Sequence, residues 1–192
     1  TLLDACRRVG DLGLGLDVRD KMKCRGLSPD LRSYTSLIST VARRQSSSKH
    51  RQFTTDAKVE YFHGAKDPDM AFSLLEEMKA DNLIPNGVTY CALIDVCGRS
   101  GRPDLALKGL RMMLAERQEG DDSNDHHNEV GAWTAAIDAC GKSSRVDTAI
   151  KLFYSMAKFG SKPNPVTCGS LIDCLLKCGP ARTSDTLAIL RC

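Results

Sequence analysis

The sequence has little of what marks a membrane protein or a strongly basic nucleic-acid binder. None of its apolar runs approaches the ~18 residues of a membrane span, so no membrane association is expected. Aromatic residues make up only 5% of the chain, which argues against a surface that stacks bases on aromatic platforms. The formal net charge is only +3, so charge alone neither predicts nor excludes an RNA partner.

Enzyme and metal signatures are also missing. The sequence has no glycine-rich phosphate loop, no nucleophile and base at a recognisable spacing, and no acidic cluster for metal-dependent hydrolysis. Nine cysteines are present, and Cys174 and Cys178 are four residues apart, but no His or second Cys pair lies nearby with zinc-ligand spacing. Cys6, Cys97 and Cys140 each follow an Asp-Ala or Asp-Val pair, as a recurring packing residue would. We therefore expect no catalysis, no cofactor and no metal site in this chain, and a reducing compartment.

What the chain does contain is one repeated pattern, complete in residues 130–164. Apolar residues three or four positions apart indicate two amphipathic helices separated by a short polar turn. Ser144 with Asp147 fits a capping box that would begin the second helix. Gly160 followed by Pro163 predicts its end. The unit is therefore predicted to be a helical hairpin.

Related units fill the rest of the chain. The first helix recurs as YTSLIS from Tyr34, YCALIDVCG from Tyr90, WTAAIDACG from Trp133 and CGSLIDCLL from Cys168. Because a hairpin cannot bury its apolar face alone, successive hairpins are predicted to stack into a curved, all-α solenoid with a concave surface. The predicted units are 1–30, 31–86, 87–129, 130–164 and 165–192, which we expect to be part of a longer array.

Two stretches exceed the repeat length and are predicted inserts. The first, about 42–64, is serine-rich and basic and is typical of a solvated loop, after which Asp67-Pro68 predicts an N-cap and the first residue of a helix. The second, 116–129, is acidic and is predicted to be an exposed loop between hairpins. An alternative for the first insert is an arm that contacts phosphates through its clustered basic residues: Arg43, Arg44, Lys49 and Arg51.

The repeated unit resembles the pentatricopeptide repeat (PPR), in a P-type-like array. The resemblance lies in the V-T-Y-x-x-L-I-D opening, here Val88–Asp95, in the A-x-x-L/F-x-x-M second helix and in the closing P-[DN]. It covers nearly the whole chain and implies a right-handed superhelix that binds single-stranded RNA, one base per repeat. PPR proteins mostly act in chloroplasts or mitochondria, on transcript processing, stability, splicing, editing or translation. Some carry a nuclease or deaminase domain after the array.

The resemblance also assigns base-reading residues. It implies that each base is read by the residue after the aromatic of the first helix together with the last residue of the same unit. A short polar side chain and an amide or carboxylate can supply donors and acceptors to the Watson–Crick edge of a base. The implied pairs are Thr35 with Asn86, Cys91 with Glu129, and Thr134 with Asn164, while Asp30 and Gly169 hold single such positions.

Threonine with asparagine is the pairing that PPR proteins typically use for adenine, and it occurs twice. Cys91 with Glu129 fits no familiar pairing, and phosphate would repel a carboxylate that faces RNA. The unit 87–129 is therefore predicted to be a spacer that reads nothing.

A further position in the family often carries an aliphatic side chain that wedges bases apart. Val88 and Val166 match it, whereas Arg32 and Gly131 depart from it.

Two alternatives stay open at this point. The threonines would also suit an ordinary helix surface, and the asparagines follow prolines in positions typical of turns. The whole array would also suit a scaffold for protein partners in an organellar complex, because helical solenoids bind peptides and proteins on the same surface.

Overall fold

The computed structural model describes residues 2–43, 67–116 and 126–177, and these ranges contain nine helices and no strand. Four helical hairpins follow one another, and a fifth is represented by its first helix, so the predicted all-α repeat solenoid is confirmed. The first helices are α1 (Leu2–Val9), α3 (Leu31–Arg43), α5 (Gly87–Arg99), α7 (His126–Lys142) and α9 (Pro165–Lys177). The second helices are α2 (Leu12–Cys24), α4 (Pro68–Ala80), α6 (Pro103–Glu116) and α8 (Val146–Lys158).

The hairpins stack so that the first helices form one continuous row. Each first helix packs against the next, from α1 through α9, and each second helix packs on the first helix of its own hairpin and on that of the following one. Equivalent positions in each repeat bury their largest side chains between these helices, with Tyr34, Tyr90 and Trp133 each at most 1% exposed. The buried residues form two core clusters, a larger one that extends from α1 to α8 and a smaller one between α7, α8 and α9, and the partly buried Leu152 packs against both.

The recurring cysteines belong to this core. Cys6, Cys97 and Cys140 are buried and not in disulfides. Burial raises the pKa of the Cys97 thiol to about 12 and that of the Cys140 thiol to about 11, which keeps both thiols protonated. Their packing role agrees with the sequence prediction.

Neighbouring first helices lie close together at two glycines. A Cβ atom placed on Gly98 would lie 2.9 Å from the Cβ of Ala139, and one on Gly141 would lie 2.9 Å from the Cβ of Cys174. Gly98 and Gly141 hold corresponding repeat positions, as do Ala139 and Cys174. Because both contacts recur at the same place, a missing side chain sets the spacing between first helices.

The predicted helix ends are correct at two places and wrong at a third. Asp67 is the N-cap of α4 and Pro68 its first residue, and Gly160 follows α8 with a φ of 83°. The capping box of Ser144 with Asp147 is wrong. Ser144 has a φ of 57°, and Arg145 is the N-cap of α8, with no side-chain capping bond. Ser144 is needed to end α7 in a left-handed turn, so it cannot also begin α8.

Helices extend into one edge of the first predicted insert and into both edges of the second. Residues 42 and 43 end α3, residue 116 ends α6, and residues 126–129 begin α7. Helix α7 has 17 residues where α5 has 13, because it starts one turn earlier. The rest of both inserts, residues 44–64 and 117–125, lies outside the described residues.

Tyrosines of the first helices bind carboxylates at the ends of second helices. The hydroxyl of Tyr34 donates to Asp81 at 2.5 Å, and that of Tyr90 donates to Glu116, whose other oxygen accepts from Lys79 at 2.6 Å. Burial raises the pKa of Tyr34 to about 12, so its hydroxyl stays a donor.

The next repeat exchanges both members of this contact. Trp133 replaces the tyrosine and Phe159 replaces the carboxylate, with ring centroids 5.7 Å apart. The indole Nε1 of Trp133 is buried and has no hydrogen-bond partner in the part of the chain that the structure describes. An aromatic contact thus takes the place of a hydrogen bond at this repeat.

Tyr90→Phe is expected to lower the free energy of unfolding by about 1–3 kcal/mol, because it removes a charge-assisted hydrogen bond from a buried ring. Urea denaturation followed by circular dichroism measures this. Tyr154→Phe is the matched control: Tyr154 is 46% exposed, and its change should stay within about 0.5 kcal/mol. Equal effects of the two substitutions would show that the Tyr90 hydroxyl does not stabilise the array.

Candidate nucleic-acid interface

The two asparagines of the predicted base-reading pairs are N-caps of the following first helices. The Oδ1 atom of Asn86 accepts from the backbone N–H of Thr89 at 3.1 Å, and Oδ1 of Asn164 accepts from the backbone N–H of Thr167 at 2.8 Å. A capping side chain of this kind contributes about 1 kcal/mol to stability. The cap uses only the amide oxygen, so the Nδ2 donors of both asparagines take no part in it.

Asp30 makes the same cap at the start of α3. Its carboxylate accepts from the hydroxyl of Ser33 at 2.6 Å and from the backbone N–H of Ser33 at 2.8 Å. These bonds, the hydroxyl contributing most, lower the pKa of Asp30 and keep it ionised. An ionised aspartate only accepts hydrogen bonds, so Asp30 differs from the asparagines in what it can offer a base.

The structure joins Thr35 to Asn86 through a third residue. Thr89 is fully buried, and its hydroxyl lies 3.0 Å from the Thr35 hydroxyl and donates to Oδ1 of Asn86 at 3.0 Å. Thr35 itself is half-buried and also donates to the carbonyl oxygen of Leu31 at 2.8 Å. We call this connection through a buried threonine hydroxyl the threonine bridge.

A second threonine bridge stands two repeats further on. The hydroxyls of Thr134 and Thr167 lie 2.8 Å apart, and the Thr167 hydroxyl donates to Oδ1 of Asn164 at 2.9 Å. Thr134 also donates to the carbonyl oxygen of Val130 at 2.8 Å. The structure therefore connects both Thr/Asn pairs implied by the sequence, and does so across a boundary between repeats.

No threonine bridge connects Cys91 with Glu129. The position that corresponds to Thr89 is Ala132, which is fully buried and has no hydroxyl. Glu129 lies inside α7 instead of capping it, and its carboxylate accepts from Ser161 at 3.2 Å. Burial raises the pKa of Cys91, so its thiol is neutral. Cys91, Glu129 and Ala132 thus differ from the residues of the two threonine bridges at all three corresponding positions.

The predicted wedge positions fall into two kinds. Val88 and Val166 are 43% and 66% exposed, each directly before a bridging threonine. Arg32 is exposed at the same position of α3, whereas Gly131 is half-buried, and a Cβ there would lie 3.3 Å from the Cys91 sulfur.

The remaining predicted position, Gly169, is exposed on α9, and no atom lies within 4 Å of where its Cβ would be.

A row of basic residues was missed by sequence reasoning. One exposed arginine or lysine stands in the last turn of every first helix, and we call this set the basic row: Arg8, Arg43, Arg99, Lys142 and Lys177. Three of them pair with an aspartate four residues earlier, as Arg99 does with Asp95 at 2.9 Å and Lys142 with Asp138 at 2.5 Å. Aligning the repeats would have found the row, because its members share one repeat position.

Only one of the predicted phosphate contacts can be placed. Arg43 ends α3 and belongs to the basic row, while Arg44, Lys49 and Arg51 lie outside the described residues. Across residues 2–43, 67–116 and 126–177, no His, Cys, Asp or Glu side chains gather into a group that could hold a metal ion. Over the same ranges, no helix is both long and apolar enough to span a bilayer.

Comparison with solved structures finds the same architecture in three RNA-related proteins. The PPR domain of Arabidopsis thaliana protein-only RNase P 1, in complex with tRNA, matches with a TM-score of 0.64 and 14% identity, over 98% of this chain and 83% of that one. PPR10 in complex with an 18-nt psaJ RNA element matches with a TM-score of 0.69 and 21% identity, over 97% of this chain and 23% of that one. Arabidopsis thaliana nuclear protein-only RNase P 2 matches with a TM-score of 0.65 and 14% identity, over 98% of this chain and 36% of that one.

The chain thus spans less than two thirds of the length of PPR10 and RNase P 2, and identities this low show a common fold. A search of curated protein sequences found no significant match.

Sequence profiles identify the family directly. The profile of the PPR repeat family matches residues 59–99 and 128–177, that of the PPR repeat matches 88–117, and that of the pentatricopeptide repeat domain matches 1–44. Together these matches cover most of the sequence and every described hairpin. The chain belongs to the pentatricopeptide repeat family.

Proposed function

We propose that this chain binds single-stranded RNA along its first helices and reads one base at each threonine bridge. The observation that carries this function is the recurrence of the bridge: two Thr/Asn pairs, in different repeats, are held by the same hydrogen bonds at 2.8–3.0 Å. Structural neighbours in complex with tRNA and with an 18-nt RNA support an RNA ligand.

Each pair offers a base one acceptor and one donor. The oxygen of Asn164 is held by the helix cap, so its Nδ2 is the atom that can donate to a base. The Thr134 hydroxyl oxygen has lone pairs to accept from a base. Adenine presents the complementary groups, an N6 amino donor beside the N1 acceptor. The choice of adenine over other bases rests on the family resemblance, in which threonine with asparagine is typical for adenine.

The spacing of the pairs predicts the spacing of the bases. One repeat, residues 87–129, separates the unit of Thr35 from the unit of Thr134, and this repeat has no threonine bridge. If each repeat spans one nucleotide, the preferred RNA carries two adenines with one unselected nucleotide between them.

Two further features fit a single strand. The exposed valines Val88 and Val166 stand beside the bridges, where they can separate neighbouring bases. The basic row adds one positive side chain to each first helix, at a constant eight residues after the base-reading position. Evenly spaced charges suit a backbone with one phosphate per nucleotide.

The biological setting is also part of this function. We place the chain in RNA metabolism of chloroplasts or mitochondria, in processing, stability, splicing, editing or translation, with protein partners in an organellar complex. The support is the family membership alone.

Thr134→Asn tests the base reading. Asparagine brings an additional donor and a longer side chain to the position that faces the base, so the preferred base at one register is expected to change by roughly tenfold in relative affinity. Fluorescence anisotropy with short single-stranded RNAs that vary at one position measures the preference.

Cys91→Ser is the matched control, since its repeat lacks the bridging hydroxyl. It should leave the preference unchanged at every position. If no RNA binds above the non-specific level at moderate salt, or if Thr134→Asn leaves the preference unchanged, the array is a protein scaffold instead, and its partners should be sought by pull-down.

A further inference from the structure

We propose that Thr89 and Thr167 are specificity-determining residues, although neither is at a base-reading position. Each is a positioning residue whose buried hydroxyl fixes which atoms its Thr/Asn pair presents to the base. This inference rests on the proposed function and deepens it, because it makes each base-reading set three residues instead of two.

The first bridge has fewer hydroxyl protons than hydrogen-bond contacts. The first bridge contains three oxygen–oxygen contacts. The Thr35 hydroxyl lies 2.8 Å from the carbonyl oxygen of Leu31 and 3.0 Å from the Thr89 hydroxyl. The Thr89 hydroxyl lies 3.0 Å from Oδ1 of Asn86. Only two hydroxyl protons are available to fill them. Every arrangement that fills two of the three contacts keeps both protons inside the protein, so Thr35 presents lone pairs to a base.

The second bridge also has two hydroxyl protons for three contacts. Thr134 contacts the carbonyl oxygen of Val130 and the hydroxyl of Thr167, both at 2.8 Å, and Thr167 contacts Oδ1 of Asn164 at 2.9 Å. Two protons again serve three contacts. A base that donates to Thr134 costs no internal hydrogen bond, whereas a base that accepts from Thr134 breaks one. The buried threonine thereby biases its partner toward base donors.

The same hydroxyl fixes the asparagine. Oδ1 of Asn164 is held by two donors, the backbone N–H and the hydroxyl of Thr167. Rotating the amide by 180° would place Nδ2 donors against both of these donors. Without the hydroxyl, one donor is left to hold the amide, and the donor that faces the base is less well defined.

Ala132 distinguishes a positioning role of the buried hydroxyl from a role in folding. Ala132 stands at the position of Thr89 and Thr167 and is equally buried, so the fold does not require a hydroxyl there. The preceding repeat, 87–129, also lacks the other two members of the set, since it carries Cys91 and Glu129. All three residues are present together or absent together in the repeats where the structure describes all three positions. This is the pattern expected of residues that act as one set.

Thr167→Val and Thr167→Ser test the inference, using anisotropy titrations against RNAs in which each position is varied in turn. Valine keeps the shape and the backbone N–H but removes the hydroxyl, so discrimination between bases is expected to fall from roughly tenfold to below about threefold. The loss should occur only at the register of Thr134. Serine keeps a hydroxyl and should retain the wild-type discrimination. Thr89→Val should produce the reciprocal loss, at the register of Thr35 only.

The outcomes separate this inference from the function on which it rests. Wild-type protein without any base preference overturns the proposed function. Wild-type preference that survives in Thr167→Val and Thr89→Val leaves the function standing and overturns the positioning role. Loss at both registers from either single substitution also overturns it, because such a loss is a general structural effect. Loss at one register with rescue by serine supports it.

Discussion

Replacing Arg43, Arg99, Lys142 and Lys177 together by glutamine is expected to weaken the binding of every single-stranded RNA by roughly 100-fold at 100 mM salt. A phosphate contact to a single strand adds roughly 0.7 to the slope of log affinity against log salt, and four contacts together correspond to a loss of this size. These residues lie at the ends of α3, α5, α7 and α9, one per repeat. The base preference should be unchanged, since the proposal assigns these residues to phosphates and not to base edges.

The salt slope is the decisive readout. Titrations between about 50 and 300 mM salt should show a slope lower by about 2 to 3 in the variant. A charge-matched control removes four exposed lysines or arginines from second helices: Lys21, Arg111, Lys151 and Lys158. The control should keep nearly the wild-type slope. Equal losses in the two variants would mean that overall charge, and not the basic row, attracts the RNA.

Gly141→Val is expected to destabilise the array by about 3 kcal/mol. The new Cβ would lie 2.9 Å from the Cβ and 3.4 Å from the Cα of Cys174, so a rotamer change cannot relieve the contact and α7 must move away from α9. Overpacking of a tight contact costs about 1–3 kcal/mol, and a β-branched residue adds to that in a helix. Thermal and urea unfolding measure the change.

Gly169→Ala is the control for this substitution. It also adds a Cβ to a glycine in a first helix, but no atom lies within 4 Å of it, so alanine should stabilise the helix by about 0.5–1 kcal/mol. Opposite signs for the two substitutions are the expected result. A stability of Gly141→Val within 0.5 kcal/mol of wild type would show that the first helices are not held at the spacing described.

The fold could be predicted almost completely, because the same helical pattern occurs several times in the sequence. Helical periodicity recurs at Tyr34, Tyr90 and Trp133, and each copy confirms the register of the others. The capping box at Ser144 was wrong because a local motif was considered without the preceding helix, which needed the same residue for its own end. The early start of α7 differs from the prediction for a similar reason, since its acidic and polar residues are typical of a loop when the helix that follows is not considered.

The site was less predictable, because it depends on contacts between repeats. Thr35 and Thr89 are 54 residues apart in the sequence, and Thr134 and Thr167 are 33 apart. Periodicity places each threonine on a helix. It does not show that the threonine hydroxyl of one repeat contacts a threonine hydroxyl of the next repeat. Sequence reasoning therefore named the two ends of each bridge and missed its buried centre.

The most direct test of base reading by the threonine bridges compares RNAs that differ only in the spacing of two adenines in an oligouridine background. The RNAs carry adenines that are adjacent, separated by one nucleotide, or separated by two. We expect the wild-type protein to prefer the one-nucleotide spacing and to tolerate any base between the adenines. Thr35→Asn and Thr134→Asn should each remove the preference for one of the two adenines. Equal affinity for all three spacings, or the same adenine preference in both variants as in wild type, would contradict modular reading by this array.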